Sequence, residues 1–148
     1  MNQYARAPRG AYARSLRRPL SARLVALLDY AIKDRGYTLI GTASRVVRAG
    51  DVHELIVTAE ATAAPGAVVN DIAVIGFAEF AQAGVLVAGD EVMMDTQRLG
   101  TIAGFEESHA PNHINIVIAG SRCQSGREAG ARLEGQVVFV PMGSDTAS

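Results

Sequence analysis

Residues 105–115, Phe105-Glu106-Glu107-Ser108-His109-Ala110-Pro111-Asn112-His113-Ile114-Asn115, hold the densest set of chemically capable side chains in this chain. Histidine exchanges a proton near neutral pH, and a neighbouring carboxylate can orient the ring or raise its pKa. His113 is therefore the expected proton carrier, with Glu106 or Glu107 as its partner and His109 beside it. On a strand beginning at Asn112, His113 and Asn115 share one face, so both can approach one ligand, Asn115 orienting it and Asn112 at the edge. Two histidines four residues apart beside carboxylates also suit a metal ion. That spacing aligns two ligands only on a helix, and Pro111 favours a loop running into a strand, so no metal is expected. His53, at a strand start beside Glu54, reads as a surface residue.

These side chains need a scaffold, and the hydrophobic pattern supplies one. Residues 1–20 contain Pro8, Gly10 and Pro19 and no sustained apolar period, which predicts an extended basic arm. Leu24, Leu27, Leu28 and Ala31 then repeat at helical spacing after Ser21 and before Gly36, which predicts an amphipathic helix over residues 21–36. From residue 37 the period changes to alternation. Residues 37–47 and 53–61 read as a hairpin through Gly50-Asp51, followed by a loop over 62–69 around Pro65-Gly66 and a short strand over 72–75. One helical turn is expected over 77–83. Further strands are expected at 85–88, 91–94, 98–103, 112–119 and 136–140, with Gly89-Asp90 as a turn between the first two of them. Many short strands without room for crossover helices predict a mostly β domain over residues 37–141, an antiparallel barrel or sandwich, with a disordered tail over 142–148.

With 148 residues, 49% apolar and 20% charged, the chain fits one globular domain. No apolar run approaches the roughly 18 residues that span a bilayer, so no membrane partner is expected and the expected location is cytoplasmic. Cys123 is the only cysteine, which excludes an intramolecular disulfide. Six arginines, from Arg6 to Arg23, precede the first acid, Asp29, and residues 24–148 carry eight basic against 15 acidic groups, a balance of −7. Only the arm is basic and it offers no recognisable stacking surface, so no nucleic-acid partner is expected. Neither a phosphate-binding glycine loop nor a paired-cysteine signature occurs, and no cofactor is expected.

The segment from Ala73-Val74-Ile75-Gly76-Phe77-Ala78 to Gly84-Val85-Leu86, then Gly89-Asp90-Glu91-Val92, resembles the glucitol/sorbitol-specific enzyme IIA component of the bacterial sugar phosphotransferase system. Leu99-Gly100-Thr101-Ile102, His113-Ile114-Asn115-Ile116 and Gly135-Gln136-Val137-Val138-Phe139 continue that resemblance in order, over roughly residues 38–140. The resemblance implies a small, mostly antiparallel barrel and an ancestral role in passing a phosphoryl group through a histidine. Gly76 stands where the family keeps that acceptor histidine, and glycine offers no nucleophile. The vacated volume is an expected ligand pocket beside Phe77, unless a neighbour fills it.

These readings converge on a barrel that binds a small polar or amphipathic molecule. The expected activity is acid/base chemistry of isomerase, lyase or cyclase type, with His113, Glu106, Glu107 and His109 catalytic and Asn115, Asn112, Gly76 and Phe77 contacting substrate. The alternative is a non-catalytic ligand-binding or assembly module acting through the N-terminal helix, and a third reading is a histidine phosphocarrier using His113. A homodimer or other homo-oligomer is expected.

Overall fold

The computed structural model describes residues 16–143, so most of the expected basic arm and of the expected tail lies outside the described residues. Eleven strands and no helix occur among those residues: β1 (Leu20–Ile32), β2 (Tyr37–Thr38), β3 (Ser44–Val47), β4 (Val52–Thr58), β5 (Val68–Val69), β6 (Ile72–Phe80), β7 (Gly84–Val87), β8 (Glu91–Met94), β9 (Gln97–Glu106), β10 (Asn115–Ala119) and β11 (Gln136–Val140). No helix there is long and apolar enough to cross a membrane. Seven strands hydrogen-bond in a closed ring, β1-β11-β8-β9-β10-β4-β6, so the sheet leaves no open edge of its own. The ring is antiparallel except at β10–β4, which run parallel with Asn115 opposite Glu54 and Ala119 opposite Thr58. Two ribbons, β2–β5 and β3–β7, complete the architecture.

The interior follows from alternation. Leu24 on β1, Leu55 on β4, Ile75 and Phe80 on β6, Phe105 on β9, Ile116 on β10 and Phe139 on β11 belong to one buried cluster to which every ring strand contributes. Phe80 and Phe139 stack at its centre, 5.2 Å apart. Burial of this size is the main stabilising term of such a fold. The outward residues Ile56, Val74, Ala103 and Val117 belong to a second cluster, closed by Tyr37, Leu39 and Val69 from the β2–β5 side. Four ring strands are therefore apolar on both faces at these positions, where their outer face is roofed.

The helix expected over residues 21–36 is instead β1. Its first half alternates inward through Leu20, Ala22 and Leu24, but register shifts against β6 fall between Leu24 and Ala26 and between Leu27 and Tyr30. A bulge adds a residue to one strand and moves the next inward position from two to three residues on. Leu24 to Leu27 thus mimics a helical step. The turn expected over 77–83 is likewise strand up to Phe80, and β3 pairs with β7, not with β4, so the expected hairpin through Gly50-Asp51 does not form.

Arg17 also departs from expectation. Instead of belonging to a free extended arm, its side chain is 8% exposed and its guanidinium grips Asp90 in bidentate fashion at 2.7 and 2.8 Å. Asp90, beyond its turn role, also accepts the Val87 and Met142 N–H groups at 2.9 and 3.1 Å.

Gly76 has a backbone reason. Its φ is +151°, and a Cβ there would lie 2.0 Å from the Ala26 carbonyl oxygen of β1. The volume expected to be vacant at this position is filled by the neighbouring strand's main chain, so Gly76 lines no ligand pocket.

Candidate metal centre

On the outer face of the ring, the register sets Glu106 (β9), Asn115 (β10), Glu54 (β4) and Phe77 (β6) side by side in one row. Residues 107–114 leave β9 and fold back over that row. The return is a compact turn in which Asn112 N–H donates to the His109 carbonyl at 3.0 Å and Ala110 N–H to the Glu107 carbonyl at 3.0 Å. This turn achieves what spacing alone seemed to forbid: the His109 and His113 rings stack at 5.1 Å and 14° without a helix.

Below them stands Glu54, which sequence reasoning left beside His53 without a role. Its Oε1 lies 3.8 Å from His113 Nε2, and one ligand atom each from Glu54, His109 and His113 fall within 4.8 Å of one another. Three ligands bound at about 2.1 Å to one tetrahedral ion stand about 3.4 Å apart, so small side-chain rotations would close the set. A turn and a parallel strand pair supply a convergence that four-residue spacing did not suggest.

The hydrogen-bond inventory sharpens the assignment. His113 Nδ1 lies 2.6 Å from Asn112 Oδ1, an atom that can only accept, so the ring hydrogen sits on Nδ1. In the neutral ring Nε2 then carries a lone pair. It is buried, has no hydrogen-bond partner, and faces a carboxylate. Asn115 Oδ1, in the same row, is likewise buried without a partner. Acceptors gathered without a donor are costly unless a cation or proton joins them. Burial pushes the Glu54 carboxyl up, and the two histidines only partly pull it back. The orientation of His113 by Asn112 is the arrangement that metal-bound imidazoles ordinarily have, with the far ring nitrogen donating to an oxygen.

Other neighbours shape the surroundings. Phe77 meets the His113 ring edge-on at 5.0 Å, so the two expected residues are in contact. Tyr37 Oη lies 3.5 Å from His109 Nε2, and Arg35 sits 4.1 Å over the Tyr37 ring. Burial raises the Tyr37 hydroxyl pKa despite Arg35. His53 is buried, accepts the Ile114 N–H at 3.3 Å, and has its pKa lowered by burial and then by Arg45, which corrects its reading as a surface residue.

The remaining expected residues part company. Glu106 does not touch His113; it is buried, accepts from Asn115 Nδ2 at 2.7 Å and from the Ser108 N–H at 3.0 Å, and so fixes the start of the turn. Asn115 is fully buried in that bond, where no substrate reaches it. Glu107 points away to Arg45 at 3.6 Å. Glu54 and Tyr37 are the neighbours of the two histidines that the sequence did not single out. Their only signal was the outward phase of Glu54 in β4, which gains meaning once β10 is laid parallel beside it.

Among curated proteins and among solved structures, nothing matches this chain. Residues 14–140 match the model of a family of unknown function (DUF6917), a span that runs from the arm preceding Arg17 through the whole ring, and the chain belongs to that family.

Proposed function

We propose that this barrel binds a divalent metal ion through Glu54, His109 and His113 and uses it on a small polar or amphipathic molecule. The observation that carries the reading is the convergence of three ligand atoms within 4.8 Å, one of them a buried nitrogen without a hydrogen-bond partner. Two imidazoles and one carboxylate form a set that zinc takes in catalytic sites, where three protein ligands leave a position for water or substrate, and that ferrous iron also accepts. His109 is exposed, which leaves the solvent side of the set available. An ion held there would supply Lewis acidity, which suits isomerisation, elimination or cyclisation of a substrate that coordinates through oxygen. Glu106, Asn112 and Asn115 position the ligands and take no part in bond making.

The resemblance to the glucitol-specific IIA component remains a proposal about ancestry, supported by the ordered motifs around Gly76, Gly89 and His113. A present-day phosphocarrier role is less well supported, since His113 Nε2 faces the Glu54 carboxylate, which repels an incoming phosphoryl group. An assembly role through an N-terminal helix falls away with the helix.

The test is elemental analysis and calorimetric titration with zinc and cobalt on untagged full-length protein. One ion per chain is expected, lost in Glu54→Gln and His113→Ala while the far-ultraviolet spectrum is kept. A folded wild-type protein that takes up neither ion at micromolar concentration overturns the reading.

A further inference from the structure

A second ligand-sized space lies at the other end of the parallel β4–β10 pair. Glu54 and Asn115 stand at the start of those strands, whereas Val57 and the chain leaving Ala119 stand at their finish. Here a cavity of about 280 Å³ opens between the inward face of the ring and the connection over residues 120–134. Val57 and Ile75 form its floor, and Gln97, Arg98, Arg122 and Gln124 stand around its rim.

The connection crosses the end of the barrel with its backbone held close to the strands. Gly126 passes so close to β6 that a Cβ would lie 2.0 Å from the Ile75 carbonyl oxygen. At the rim, Gly100 and Gly120 cross in the same manner, a Cβ on either falling 2.1 Å from a carbonyl oxygen of the other segment. Ser125 anchors the crossing by donating to Asp29 Oδ1 at 3.0 Å. A connection built this way covers the end of the ring with the small side chains of Cys123, Ala129 and Ala131 packed against the core.

Charge then selects the occupant. The lining contains two guanidinium groups and no carboxylate. Arg98 is held by Glu91 at 3.1 Å through its Nε, which leaves its terminal nitrogens for other partners. Arg122 is exposed and has no ion-pair or hydrogen-bond partner among the described residues. Guanidinium groups recognise carboxylates through paired N–H donors, and an apolar floor beneath them takes a short hydrocarbon tail.

We propose that this cavity is a binding site for a small amphipathic carboxylate, its head at Arg122 and Arg98 and its tail against Val57 and Ile75. It is separate from the metal centre and does not depend on it. The site accommodates a chain of about six carbons, since a volume near 280 Å³ is at the small end of ligand pockets.

The experiment is a titration of the full chain with hexanoate, 1-hexanol, hexylammonium and inorganic phosphate, read by methyl chemical shifts of Val57 and Ile75. Hexanoate is expected to shift both methyl groups and to bind at least about tenfold more tightly than the other three. Arg122→Glu, an exposed substitution, is expected to weaken hexanoate at least about tenfold, whereas His113→Ala leaves it unchanged. Equal response to hexanoate and hexanol, shifts that map away from these methyl groups, or a response to phosphate alone overturns the proposal. So does hexanoate binding that vanishes in His113→Ala.

Discussion

Asp90 and Glu54 are both carboxylates removed from water, and they are treated in opposite ways. Asp90 is 2% exposed on its side chain and receives four donors, two from Arg17 and one each from the Val87 and Met142 N–H groups. Glu54 is 13% exposed and faces a histidine nitrogen 3.8 Å away, too far for a hydrogen bond. The first group ties the arm entering β1 to the β7–β8 turn and the end of β11. Every oxygen lone pair is spoken for, so nothing further can bind. The second is left short of positive charge, and the proposed metal site rests on that shortage. Satisfaction of hydrogen bonds thus separates two carboxylates that burial alone does not.

The contrast can be broken first at Asp90. Asp90→Ala should cost about 3–5 kcal/mol in chemical denaturation, because it strands the Arg17 guanidinium and two N–H groups. A cost below about 1 kcal/mol would show that the pair is not structural. Gly76→Ala comes next. With φ at +151° and the Ala26 oxygen 2.0 Å from the new methyl group, a loss of about 2–4 kcal/mol is expected by the same measurement.

At the functional carboxylate the response should change in kind. Glu54→Gln should weaken zinc binding on the order of 100-fold, read by competition with a chelating dye, while leaving apo-protein stability within about 1 kcal/mol of wild type. Stability loss as large as that of Asp90→Ala would erase the distinction. Asn112→Ala removes only the oxygen that orients His113 and should weaken zinc by about 10–100-fold. Glu107→Ala sharpens the comparison from below: its pair with Arg45 at 3.6 Å is partly solvated, and stability should move by no more than about 0.5 kcal/mol.

Much of the ring could be read from the chain, and the reason is local. Residues 91–94 and 136–140 match β8 and β11 because each is a short alternating run bounded by turn residues. β1 was misread because its bulges turn a two-residue period into three. The segment carrying His109 and His113 was legible from its composition, but their partner was not. Glu54 reaches them through a parallel register with β10, sixty residues downstream, and no local signal encodes which strand lies beside which. Arg17 was hidden for the same reason, its acid lying seventy-three residues away.

The crossing at Gly76 also bears on what this protein can become. Every substitution there adds at least a Cβ, directed at the main chain of β1 and not at a side chain that could rotate aside. A side chain could enter only after the strand itself had moved, which means shifting the Leu24–Ala26 bulge and the pairing on both sides of it. The position therefore works as a lock: the strand bars every larger residue, whereas the turn outside the ring carries side chains that can be exchanged without moving the frame.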